Sequence, residues 1–463
     1  MKHNILKSLF ISVILLAGTS NVWAGDPYIS GFGLQFEDNI KWFKPSTEIM
    51  NTNFGSKTNF KILYIYANGN KNGGNICDES YFKYEIYGTT GTQNWGGIKH
   101  SLVDWNTPTF KWGTENSSTA VIDLVKNRKP GDYRMEFYIS FEGNSNSGQC
   151  GKWYDCKYSG GNWKFTWSIP DPTITISGAN NLIVGTSADI KAQISNYPVG
   201  ATISQVKVSG NISSEKSATG SSDNITISSV VPNASGKKSI KVTVTVKFGT
   251  GGTKDYTYDY DVTPPAVSDF KVTPNNVVSG AGTSEEPYVI EYGKSMTLMV
   301  SGNKAAVDAN SSLQAKFGDG SYSTTLTKTY SSMSLTPQDV NVSARLYNST
   351  ATSHGAEQST TIYYRAEEPF FNVTATATSG GLVTPTTATL MSQINGGDIT
   401  AAPKPGYTFT NWTIATGAGY FGTTGTSTTS TTANTKFRPT QISTLLATFT
   451  PVDSYFLPED IFF

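Results

Sequence analysis

Alternation with a period of two residues governs this chain wherever a pattern can be read, and it restricts the fold to strands with one apolar face. Between 240 and 248, Ile240, Val242, Val244, Val246 and Phe248 fall on one side, while Lys241, Thr243, Thr245 and Lys247 fall on the other. Gly249-Thr250-Gly251-Gly252 supplies the positive-φ positions of a turn. Tyr256, Tyr258, Tyr260 and Val262 form the inward row of a returning strand, so this stretch predicts a hairpin with one buried face. The same spacing recurs in Ala188/Ile190/Ala192/Ile194, Met296/Leu298/Val300 and Val340/Val342/Ala344/Leu346. No window carries a long 3.6-residue period with caps. Residues 118–129 are the one stretch that reads as a helix, and an extended reading fits them equally well. The predicted class is all-β.

Proline marks the joints. Pro170-Asp171-Pro172, Pro264-Pro265 and Glu367-Glu368-Pro369 each precede a fresh strand pattern, and proline fixes φ and cannot continue a central ladder. The 463 residues therefore divide into 25–170, 171–264, 265–368 and 369–450, followed by a tail at 451–463. Each module exceeds the ~40 residues below which a fold needs extra staples.

The two middle modules have six or seven short strands each and resemble immunoglobulin-like sandwiches, although neither has the cysteines or tryptophan of the antibody type. Phe317-Gly318-Asp319-Gly320-Ser321, followed by Thr329-Tyr330, resembles polycystic-kidney-disease-type sandwiches. The tryptophan expected before that stretch is replaced by Ala315-Lys316. At the carboxyl end, the pattern runs Gly380-Gly381-Leu382-Val383-Thr384-Pro385, then Ile399 to Trp412 with Pro405-Gly406-Tyr407, and closes on Leu446-Ala447-Thr448-Phe449. It resembles the divergent internalin-type repeat, a small β-grasp module of surface proteins in Listeria and Bacteroides relatives. The resemblance implies surface display and a spacer role, and it names no ligand. The Thr-rich stretch 423–435 departs from it by lengthening one loop.

Tryptophan and cysteine concentrate in the first module, which resembles no specific family. Seven of the nine tryptophans and all three cysteines, Cys77, Cys150 and Cys156, lie between 25 and 170. Trp163 and Trp167 alternate with Lys164 and Thr166, so they read as core. Tyr133, Met135, Phe137, Ile139 and Phe141 share another apolar face, and Pro130-Gly131-Asp132-Tyr133 resembles the turn and tyrosine that open a late sandwich strand. Trp153 differs, because 143–162 reads as a polar Gly/Asn/Ser loop that also carries Tyr154, Asp155 and Tyr158. Sugars present flat C–H faces to such rings, and neighbouring Asp and Asn bond the hydroxyls. Trp153, Tyr154, Asp155 and Tyr158 are thus the expected ligand site, for a glycan or a host or cell-surface protein. Trp95, within 91–97, is a second loop candidate. A Cys150–Cys156 disulfide would hold Trp153 at a loop tip, although three pairings of the cysteines can be drawn. Asp255, Asp259 and Asp261 form an outward row that could hold calcium, but a solvated face requires the same residues. No catalytic motif, metal site or cofactor site is expected.

Composition excludes some partners. With 35 basic and 35 acidic residues and only three histidines, the chain lacks the basic surplus of a nucleic-acid binder. Residues 1–24 read as a secretory signal: Lys2 and Lys7, a short apolar run, then Val22-Trp23-Ala24. No later run is long enough for a membrane span. The expectation is an exported protein, extracellular or at the cell surface, with the periplasm as an alternative. It would bind without catalysing, through its first module, and use the others as spacers. A secreted polysaccharide hydrolase and a structural component of a surface appendage are the alternatives.

Overall fold

The computed structural model describes residues 28–36, 39–43, 52–70, 75–88, 91–101, 109–112, 122–144, 152–156, 162–303, 308–331, 333–392 and 394–452. Among these residues every regular element is a strand except a three-residue 3-10 turn, Gly249–Gly251, so the fold class is all-β. The helical reading of 118–129 fails over its described part: a short strand, Ile122–Asp123, leads into a turn whose N–H groups at Val125 and Lys126 donate to Asp123 Oδ1. The expected signal and the tail from 453 lie outside the described residues. The chain divides into two compact units, 1–233 with 237–262, and 234–236 with 263–463.

The first unit contains two cores. In the first core, one sheet orders Asn39–Phe43, Tyr28–Phe36, Lys61–Asn70 and Thr109–Trp112, with Ile122–Asp123 also pairing to Lys61–Asn70. The second sheet orders Thr52–Ser56, Trp163–Ile169, Gly131–Asn144, Asn75–Gly88 and Gly91–Ser101, and Lys152–Cys156 joins Gly131–Asn144. Alternate residues of both sheets fill one core: Leu34, Ile62 and Ile65 from one, Phe82, Met135, Phe137, Trp163, Phe165 and Trp167 from the other. The rings meet edge-on and stacked. Phe36 stacks on Phe60 with centroids 5.0 Å apart and meets Phe165 edge-on at 5.5 Å. Such pairs add about 0.5–1.5 kcal/mol beyond the area they bury.

Tyr133 locks one corner of this core. Its ring stacks on Trp167 with centroids 5.5 Å apart, and its hydroxyl donates to the Lys129 carbonyl at 2.8 Å. A hydroxyl returning to backbone a few residues upstream is the sandwich tyrosine corner. The ring also covers Gly88 on the neighbouring strand, where a Cβ would lie 2.6 Å from it, so only glycine fits there.

The second core packs a three-stranded sheet (Thr173–Ser177, Ala188–Ser195, Asn224–Val230) with a five-stranded one. The latter orders Leu182–Ile183, Thr253–Thr263, Gly236–Phe248, Ala201–Gly210 and Lys216–Ser222. Ile240, Val242, Val244, Val246 and Phe248 are all buried, and Tyr256, Tyr258 and Tyr260 pack half-buried against the same core. The outward aspartates serve the sheet: Asp255 accepts from the Thr245 hydroxyl and Asp261 from the Lys238 N–H. The two modules of this unit meet at Gly249–Gly252. The Thr250 N–H reaches Asn127 Oδ1 at 3.4 Å, and a Cβ at Gly249 would collide with that amide.

The second unit also contains two cores. The first combines Ser268–Pro274, Met296–Asn303 and Thr327–Tyr330 with a sheet of Tyr288–Glu291, Gln358–Glu367, Gln338–Asn348 and Ser312–Phe317. Gly318 sits at φ 60° just after Phe317, and its N–H donates to the Asn341 carbonyl. In the last core, Phe370–Ala377 runs parallel to Ser443–Pro451, which is antiparallel to Tyr407–Thr416. Trp412 is fully buried there, its indole N–H donating to the Ala433 carbonyl at 3.1 Å. Arg438 bonds the carbonyls of Gly422 and Gly425, which fixes the start of the Thr-rich stretch.

Asp171, at the proline joint of the first unit, accepts from Lys254 Nζ at 2.6 Å and from the Tyr256 hydroxyl at 2.5 Å. Burial opposes its ionisation, but these bonds and the Lys254 charge outweigh it and hold the carboxyl below its ordinary value of 3.8. A depressed folded value means that the contacts stabilise the fold above that ordinary value and cease to do so as pH falls through the lower folded one. The side chains are half-exposed, so the effect is small and screened by salt. In a melting-temperature series from neutral to acid pH, Asp171→Asn is expected to lower the melting point at neutral pH, with the difference from the parent shrinking below about pH 4.

Candidate functional site: a polar sheet face with a cleft

The second sheet of the first module buries one row of each strand and leaves the alternate row outside. The pairing register aligns these outer positions into rows across the strands. Asn53, Thr166, Arg134 and Tyr87 are neighbours in one row, and Lys164, Glu136, Glu85 and Trp95 in the next. Glu85 and Glu136 are direct cross-strand partners, an arrangement that is destabilising for like charges. Two contacts offset it. Arg134 Nε lies 3.1 Å from Glu136 Oε1, and the Tyr87 hydroxyl donates to Glu85 Oε2 at 2.5 Å. The Arg134 guanidinium also lies over the Tyr87 ring, 4.4 Å from its centroid, a cation–π contact. Donation to Glu85 raises the Tyr87 pKa above its ordinary value, with burial and both glutamates adding to the rise and Arg134 opposing it. Lys83 lies over Tyr138 further along the face.

One end of this face holds a cleft of about 500 Å³, lined by Asn53, Tyr87, Asp132, Arg134, Thr166 and Ser168 over the Tyr133 and Trp167 rings. That is within the range of small-ligand sites. Asp132 and Arg134 are both exposed and stand two residues apart on one strand, so they share a face about 7 Å apart. The cleft thus offers a carboxylate acceptor, a guanidinium donor, the hydroxyls of Tyr87, Thr166 and Ser168, and an amide. Glu85 and Glu136 are not among its lining residues.

The expected loop site turns out differently. Residues 152–156 form a strand that pairs with Gly131–Asn144, placing Trp153 opposite Glu142, Asp155 opposite Ser140 and Cys156 opposite Ile139. Trp153 is therefore in a ladder and not at a loop tip. Tyr154, opposite Phe141, stacks on that ring with centroids 5.6 Å apart and packs against the core, so its ring is engaged in packing. Trp95 also lies in a strand, Gly91–Ser101, opposite Glu85. The glycines of 91–97 are ladder members. Tyr158 and Cys150 lie outside the described residues, and the Cys150–Cys156 pairing with them. The register sets Trp153 and Asp155 two residues apart on one strand of the sheet that carries the cleft, and Trp95 on another strand with two strands between them. Sequence reading missed Asn53, Asp132, Arg134, Thr166 and Ser168. The usable signal was the outer row itself: Asp132, Arg134 and Glu136 alternate with the apolar residues that were recognised.

No family model matches the sequence, and no curated protein matches it. Among solved structures, a marsupial T cell receptor aligns at 10% identity over 74% of this chain and 100% of its own, with a TM-score of 0.21. The protocadherin gammaB7 EC3-6 cis-dimer aligns at 10% identity over 92% of this chain and 100% of its own, with a TM-score of 0.17. Superpositions this loose carry no argument about this chain.

Tyr87→Phe removes the hydroxyl bond that the buried Glu85 receives from the neighbouring row. It is expected to destabilise the protein by about 1 kcal/mol, measured by urea unfolding. Unchanged stability would show that Glu85 does not depend on that bond.

Proposed function

We propose that this is an exported, non-catalytic, adhesin-like surface protein whose first module binds a glycan or a cell-surface protein. The other modules act as spacers. The observation that carries this reading is the cleft with its ordered Tyr87–Arg134–Glu136 border, held on a rigid sheet over an aromatic core. Export rests on the signal-like residues 1–24, and the spacer role on the internalin-type resemblance of 371–450. In that last module, the turn at Gly406 (φ 84°) leads into the strand bearing Tyr407, Phe409 and Trp412, which pack in or against its core. Among the described residues no helix is long and apolar enough to cross a membrane. A secreted hydrolase is the competing reading, and the facing pair Glu85 and Glu136 is the observation in its favour.

The full chain is expected to bind members of a combined glycan and surface-protein panel and to leave bound polysaccharides intact. Release of reducing ends from a bound glycan would favour the hydrolase, and retention of nothing on the panel would contradict the binding reading.

A further inference from the structure

We infer that the cleft takes an uncharged sugar segment, one or two pyranose units of a neutral glycan, and not an acidic one. This rests on the glycan branch of the proposed function and assigns the site to the sheet face and not to the expected Trp153 region. Three features carry it. The cleft pairs an acceptor with donors: Asp132 can accept from two adjacent hydroxyls of one sugar ring, while Arg134, Asn53, Thr166 and Ser168 can donate to ring and linkage oxygens. Sugar hydroxyls present both kinds of group at this spacing, and the carboxylate or sulfate of an acidic sugar adds acceptors alone.

The second feature is charge. Asp132 in the cleft and Glu85 and Glu136 beside it place three carboxylates on this part of the face. The basic groups on the same face are Arg134, Lys164 one strand over, and Lys83 two residues from Glu85 on its strand. Arg134 already pairs with Glu136 and covers Tyr87, so its charge is largely committed. The cleft's own lining has one carboxylate and one guanidinium that Glu136 already shares, so it offers an acidic ligand no basic surplus. The third feature is rigidity. The donors and acceptors project from paired strands over buried Tyr133 and Trp167, so little ordering cost is met on binding.

The test is calorimetric titration of the full-length protein with cellohexaose, xylohexaose and mannohexaose as neutral probes, and oligogalacturonate and hyaluronan fragments as acidic ones. Each is run at low and high salt. A neutral probe is expected to bind with an affinity that salt leaves unchanged, and Asp132→Asn and Arg134→Gln are each expected to weaken it about tenfold. Thermal melting of both variants checks that the fold persists, and Thr166→Val supplies a third, smaller perturbation. Preference for an acidic probe, with affinity falling in salt, would overturn the inference and leave the adhesin reading standing. Neutral binding undiminished in all three variants would likewise overturn it by moving the site elsewhere. If no glycan binds but a surface protein does, the inference falls and the protein branch survives.

Discussion

A strand that pairs on both edges has satisfied its backbone and has two faces left, and in this chain only one of them is apolar. That constraint organises each of the four cores. Burying one row forces the other row outward, so every sheet offers solvent a face whose chemistry is set independently of the core. In the middle and last modules the outer rows are mostly threonine, serine and lysine. In the first module the outer rows carry arginine, glutamate, tyrosine and aspartate in register across several strands, and the arginine, glutamates and tyrosine contact one another.

The contrast between the cores bears on the proposal that the first module is the one that recognises a ligand. Its interior is built from large rings, Phe36, Phe60, Phe137, Phe165, Trp163 and Trp167, where the second core uses branched aliphatics. Broad flat rings under a sheet fix its strands in register, and Tyr133 ties one corner to the Lys129 carbonyl. A face held this way can position a donor and an acceptor on neighbouring positions without loops. Under the proposed function the recognition surface comes from the sheet itself, in place of the loop-borne site that the polar run 143–162 suggests.

The inward rows were legible from the sequence. Ile240 to Phe248, Tyr133 to Phe141 and Trp163 to Ile169 could be read residue by residue, because burial imposes a strict period. Strand partners were not legible. Glu85 and Glu136 are far apart in sequence, and only the register makes them neighbours. The same holds for Asn53, whose strand pairs in parallel with Trp163–Ile169. Glycine content misled at Gly91–Ser101 and Lys152–Cys156, where polar, glycine-rich composition resembled a loop although the backbone pairs in ladders. Glycine weakens a strand but does not forbid one when a long partner strand is present.

The proposed sheet-face site is tested by where a ligand protects the first module. Hydrogen exchange of the full-length protein, with and without a saturating neutral hexasaccharide that binds, reads this directly. The sheet-face account predicts slowed exchange in peptides covering Asp132–Glu136 and Lys164–Ser168, with the other modules unchanged. Slowing confined to residues 143–162, or to the later modules, would contradict it.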